Sequence, residues 1–255
     1  MKRSLMAGIA LVALVGCGGG GDDGTDSTPI PQTASAEGMW SGTTSRGSNV
    51  LGFVLDDGTF YGVYTEPYSQ GIVGIIQGSG SSNNGTYTVA NGIDYYFGSQ
   101  AYVSSASISG TYVSMQSLTG TVRWPNGETN TFDATYDTRY DETPSLTAVA
   151  GTYSGEVVGG SESLGVNGDY VTATISAGGL ISGTSTYGCN FSGTVVPRTH
   201  GNVYNASVRM GGYPCLFPNQ TLTGVLFYDS DEQLAFSAVK TPDRSGGLLL
   251  YAQKQ

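Results

Sequence analysis

Two hexapeptides built to one plan, Gly38-Met39-Trp40-Ser41-Gly42-Thr43 and Gly151-Thr152-Tyr153-Ser154-Gly155-Glu156, each open a long series of short apolar-polar alternations. Further along, Asp57-Gly58-Thr59-Phe60-Tyr61-Gly62 is echoed by Gly178-Gly179-Leu180-Ile181-Ser182-Gly183, a turn leading into a strand with glycine at the same offset. Leu118-Thr119-Gly120-Thr121-Val122 is echoed in turn by Leu222-Thr223-Gly224-Val225-Leu226. Echoes in one order indicate tandem copies of a unit whose loops have drifted in length. The copies are expected at 37–140 and 148–255. Between them, a linker at 141–147 carries Pro144 within a polar stretch, as connections between compact units do. Leu146 and Val149 are expected either to pack at the entry of the second unit or to form one helical turn over the end of a barrel.

Helical periodicity is almost absent after Val15, whereas alternation of period two recurs throughout, so the chain reads as all-β. Its 40 glycines and 17 tyrosines, with only 12% charged residues, suit many tight turns. Strands are expected near 38–45, 49–56, 59–65, 70–78, 84–89, 105–113, 117–124 and 129–136 in the first unit. In the second they are expected near 151–158, 169–176, 179–186, 189–197, 202–210, 220–228, 233–240 and 246–253. Turns such as Asp57-Gly58 and Asn126-Gly127 join them without long crossovers, which favours antiparallel up-and-down meanders. Closing about eight such strands into a β-barrel removes both edges. A β-sandwich of the same strands is the alternative. Val171, Ala173 and Ile175 form a candidate interior face, and Leu222, Gly224 and Leu226 do so less cleanly. Strand glycines such as Gly62, Gly74, Gly183 and Gly224 mark bends or backbone overlain by a large neighbour, with Trp40, Tyr61 and Tyr153 as candidates. A barrel this small has room for its own side chains or at most one small ligand.

The amino terminus carries a different signal. Met1-Lys2-Arg3, an apolar run from Leu5 to Val15 and small residues before Cys17 describe a secretory leader too short to be a comfortable membrane span. Leu14-Val15-Gly16-Cys17 resembles the lipobox of bacterial lipoproteins. The resemblance implies removal of 1–16, acylation of Cys17 with fatty chains such as palmitate, and attachment to the membrane through that lipid. Gly18 as the second mature residue implies sorting to the outer membrane, facing either side. Residues 17–36, with Gly18 to Gly21 followed by Asp22-Asp23, offer almost nothing to bury and read as a flexible tether.

Once Cys17 is assigned to lipid, Cys189 and Cys215 remain as an even pair in an oxidising compartment, and a disulfide is expected. A formal charge of −10, more acidic still without Lys2 and Arg3, argues against nucleic acid as a partner. No cofactor fingerprint and no metal-ligand spacing occurs. The single histidine, His200, lies at a hairpin tip between turn residues, a poor setting for a nucleophile's base. The chain is therefore read as non-enzymatic.

Tyr95, Tyr96 and Phe97 form a candidate binding surface in the first unit. Tyr213, Leu216 and Phe217 form a second candidate on a loop stapled by the disulfide, which could equally plug a barrel end. With lipid anchor, acidic tether and two β units, the chain resembles bacterial surface lipoproteins of the transferrin-binding or factor-H-binding kind in architecture. The leading expectation is an outer-membrane lipoprotein of the cell envelope that binds a protein, glycan or envelope component. A lipocalin-type carrier of a small ligand is the alternative, followed by an envelope hydrolase.

Overall fold

The computed structural model describes residues 35–255. The expected leader, Cys17 and almost all of the tether lie outside the described residues. The first eight strands are β1 (Gly38–Thr44), β2 (Asn49–Val54), β3 (Thr59–Thr65), β4 (Ile72–Asn83), β5 (Thr86–Phe97), β6 (Ala101–Val113), β7 (Ser117–Arg123) and β8 (Thr129–Tyr136). Each pairs antiparallel with the next, and β1 closes on β8 with Trp40 opposite Tyr136 and Thr44 opposite Phe132.

The second eight are β9 (Gly151–Ser161), β10 (Gly165–Ile175), β11 (Leu180–Ser185), β12 (Asn190–Pro197), β13 (Val203–Met210), β14 (Thr221–Asp229), β15 (Leu234–Lys240) and β16 (Gly246–Lys254). They follow the same path, and β16 closes on β9. The fold is thus all-β with two closed up-and-down barrels, and the sandwich alternative is set aside. A 3-10 turn (Thr138–Asp141) and the single-turn helix α1 (Leu146–Val149) connect the barrels, with Val149 buried in the core of the second.

Two of the three sequence echoes fall at equivalent places. Trp40 and Tyr153 sit in β1 and β9, and each donates to a carbonyl four residues upstream: Trp40 Nε1 to Ala36 O at 3.0 Å, Tyr153 Oη to Val149 O at 2.6 Å. The second echo lies at the β2–β3 and β10–β11 turns. The third does not correspond, because Leu118 is on the seventh strand of its barrel and Leu222 on the sixth of the other. A Leu-Thr-Gly run suits any strand of a glycine-rich barrel, so its order in the chain misled. The other large departure is at 90–104, where β5 and β6 continue through residues expected to be loop. A bulge carries the strand through Asn91-Gly92, the register with β6 shifting between Val89 and Gly92.

Alternation along the strands serves two cores rather than one core and solvent. In β14, Leu222 and Leu226 point into the second barrel, while Val225 and Phe227 meet the outer face of the first. That contact joins Met39, Phe53, Val63 and Tyr95 to Val225, Phe227, Phe236 and Leu249. Burial of both faces explains why this strand's pattern looked blurred in sequence. Polar bridges frame the apolar contact. Arg198, before β13, pairs with Asp56 and Asp57 of the β2–β3 turn, and Arg244 donates to the carbonyls of Gln77 at 3.0 Å and Asn91 at 2.9 Å.

Candidate functional site

The two barrels differ at one end. In the second, the β13–β14 connection spans 211–220 and folds back over the opening, burying Cys215 and Phe217 in the core. The Cys189–Cys215 disulfide, with an S–S distance of 2.01 Å, ties this plug to the β11–β12 turn. The equivalent β5–β6 connection of the first barrel is only residues 98–100, too short to cover anything. The opposite end of the first barrel is closed near Ala36, whose amide donates to Ser82 Oγ at 2.9 Å and whose carbonyl holds Trp40.

A cavity of about 420 Å³ therefore opens between the β1–β2, β3–β4, β5–β6 and β7–β8 hairpins of the first barrel. Its size falls within the range usual for small-molecule sites, roughly 300–1,000 Å³. Phe60, Ile76, Ile108 and Phe132 line its depth, and Tyr64, Tyr96, Tyr102 and Trp124 its upper wall. Set into its wall is a wholly enclosed acid, Asp94, at 0% exposure. Asp94 Oδ1 accepts from Tyr64 Oη at 2.6 Å, and Oδ2 accepts from Trp124 Nε1 at 2.8 Å. Burial pushes the Asp94 carboxyl above its usual value, and the two donors only partly oppose that shift. Burial, together with the adjacent Asp94 charge, pushes the Tyr64 phenol well above its own.

Gly74 makes this arrangement possible. Tyr64 on β3 must cross β4 to reach β5, and it lies over Gly74, where an added Cβ would come within 2.2 Å of its ring. The strand glycine read in sequence as backbone under a large neighbour is such a place, with Tyr64 as that neighbour. Phe60 likewise overlies Gly62 and Phe191 overlies Gly183, in place of the Trp40, Tyr61 and Tyr153 expected.

The mouth is polar and aromatic. Tyr96 and Tyr102, paired across β5 and β6, stack at 4.9 Å, and Tyr96 Oη donates to Glu66 Oε1 at 2.6 Å. Burial and the Asp94 charge raise the Tyr102 phenol to about 12. Arg46 lies over Trp124 at 6.0 Å, donates to the Thr129 carbonyl at 3.2 Å and approaches Glu128 at 3.9 Å.

The expected surface residues divide by strand phase. Tyr95 and Phe97, at 1% and 3% exposure, are buried in the contact between barrels and offer no free surface. Tyr96, one residue out of phase, reaches the cavity mouth. Phe217 is buried inside the second barrel and Leu216 packs half-buried against the same core, so these two belong to the plug. Of the three candidates on that loop, Tyr213 is the one that projects freely, at 94% exposure. His200 is exposed, with Nδ1 3.4 Å from Glu37 Oε1. Among the described residues, no three His, Cys, Asp or Glu side chains converge as a metal site.

A shallower groove of about 1060 Å³ runs beside the barrel contact and is formed by outer faces. On its margin, Tyr170 and Tyr251 flank Glu156 in register across β10, β9 and β16.

No family model and no curated relative matches the sequence. Among solved structures, a DUF3598-family protein of unknown function from Nostoc punctiforme is similar at 11% identity and TM-score 0.34, covering 86% of this chain and 96% of that one. Isotype 1 transferrin binding protein B from Neisseria meningitidis serogroup B is similar at 11% identity and TM-score 0.33, over 82% of this chain and 65% of that one. A mutant of the vaccine antigen transferrin binding protein B from Haemophilus parasuis is similar at 11% identity and TM-score 0.29, over 82% and 51%. Likeness at this level assigns neither family nor function.

Proposed function

We propose that this chain is a lipid-anchored protein of the cell envelope that holds one small ligand inside its first β-barrel, acting by binding rather than catalysis. The observation that carries the reading is the contrast between two copies of one barrel, the second filled and plugged, the first open to an aromatic cavity. Placement in the envelope rests on the leader, on the lipobox-like run ending at Cys17 and on a disulfide that suits an oxidising compartment. Mass spectrometry of the mature chain should find an acylated Cys17 at its amino terminus.

The cavity is tested by titrating the full chain with the neutral fluorescent probe N-phenylnaphthylamine. Gly52 lines the cavity, and a Cβ built there meets nothing closer than Phe60 at 3.6 Å, so Gly52→Leu fills the space from the wall without striking backbone. Saturable probe binding in the wild type, lost in Gly52→Leu with an unchanged far-ultraviolet spectrum, is the expected result. Equal binding by both proteins would refute an intrabarrel site.

A second reading, recognition of a glycan or protein on the outer face, is favoured by the Tyr170-Glu156-Tyr251 row beside the groove. Capture of an envelope glycan that is lost in Tyr251→Ala and kept in Gly52→Leu would support it over the cavity.

A further inference from the structure

We propose that the cavity of the first barrel selects a small organic cation carrying an ammonium group. The inference rests on the cavity being a ligand site and adds the charge of the ligand. Asp94 is the acid enclosed in the barrel wall, and among the described residues no guanidinium or ammonium group pairs with it. Tyr64 and Trp124 each turn a polar edge onto the carboxylate. With no exposed surface of its own, Asp94 does not touch the ligand. It is a positioning residue, and its negative charge stands behind the two rings that the ligand meets.

Aromatic faces attract cations, most strongly where water is excluded, and a ring that donates to an anion carries a more negative face. An anion in the cavity would confront an uncompensated carboxylate, and a neutral occupant would leave that carboxylate unpaired. The mouth agrees, since Glu66 is hydrogen-bonded to Tyr96. Arg46 is the cation of the mouth, and Glu128 and the Thr129 carbonyl engage it there. Its guanidinium carbon lies 6.0 Å from the Trp124 ring centroid, within cation–π reach of that face.

Burial holds Asp94 above the usual carboxylate range, so proton and ligand cation compete for one negative charge. The groups around it are the phenols of Tyr64, Tyr96 and Tyr102, all raised and therefore neutral near pH 7, with Glu66, Arg46 and Glu128 at the mouth.

The test displaces N-phenylnaphthylamine from the full chain with three molecules of one shape and different charge: choline, neohexyl alcohol and the anion of tert-butylacetic acid. Choline should act at about ten- to hundredfold lower concentration than the alcohol, with the anion weakest. Choline affinity should fall as pH is lowered through the raised Asp94 value, and that of the alcohol should not. Asp94→Asn should still bind the probe but lose the preference for choline and its pH dependence. If the wild type binds the probe yet choline does no better than the alcohol, the charge assignment is overturned and the cavity reading stands. If the wild type binds neither the probe nor any of the three, both fall.

Discussion

Both tryptophans, Trp40 and Trp124, belong to the first barrel, and the Cys189–Cys215 disulfide belongs to the second, so a perturbation in one barrel can be read out in the other. Opening the disulfide frees a loop with a sequence separation of 26. On the chain-entropy relation, a loop of that length is worth about 3.5 kcal/mol. If the contact through Phe53, Tyr95, Phe227 and Phe236 makes the barrels a single cooperative unit, that loss is felt by both. For a chain of this size it lowers the melting temperature by about 7–14 °C. Thermal melts of oxidised and reduced protein, followed by tryptophan fluorescence and by far-ultraviolet circular dichroism, make the check. The double variant Cys189→Ala/Cys215→Ala repeats it without reductant. Cooperative coupling requires the tryptophan transition to move by the full shift and to coincide with the dichroism transition. A tryptophan transition that stays in place while the dichroism curve splits in two would show that the barrels unfold separately and that their contact carries little energy.

Asp94 should also mark the pH dependence of stability. Its folded value is raised above 3.8, so the folded state holds its proton more tightly than the unfolded chain does. The resulting stabilisation is full below 3.8 and is lost as pH rises through the raised folded value. Urea melts across that window should show Asp94→Asn gaining on the wild type as pH rises, and a constant difference would contradict the burial argument. Arg139 bridges Asp137 and Asp229 at 2.5 Å each, and Arg139→Met should cost about 1–3 kcal/mol near pH 7. Burial pulls Asp229 upward, yet the Glu232 and Asp231 amides and Arg139 together hold it below 3.8. The stability it contributes is therefore present above 3.8 and lost as pH falls through its lower folded value, so the cost of Arg139→Met should shrink in acid.

The barrels were legible in sequence because strand period, turn residues and the Gly-x-aromatic-Ser-Gly opening are local signals, each repeated in both copies. Their contact was not, since nothing local distinguishes an outward Phe227 that meets another barrel from one that meets water. The same limit hid the cavity. Asp94 stands between Ile93 and Tyr95 in a segment that looked like an exposed aromatic loop, and its meaning depends on which way a bulged strand turns it. One signal was available: Gly92, Asp94 and Tyr96 share a phase opposite to Ile93, Tyr95 and Phe97, and Gly74 had already marked backbone beneath a large side chain. The second barrel shows what the first lacks. The ten-residue connection at 211–220, with its buried Cys215 and Phe217, fills a mouth that residues 98–100 leave open. The repeat thus supplies two interiors, and a longer connection held by the Cys189–Cys215 disulfide closes the second with its own chain. Among the described residues no cation pairs with Asp94, the acid enclosed in the barrel left open, and on the proposed reading that unmatched charge serves an arriving ligand instead of only weakening the fold.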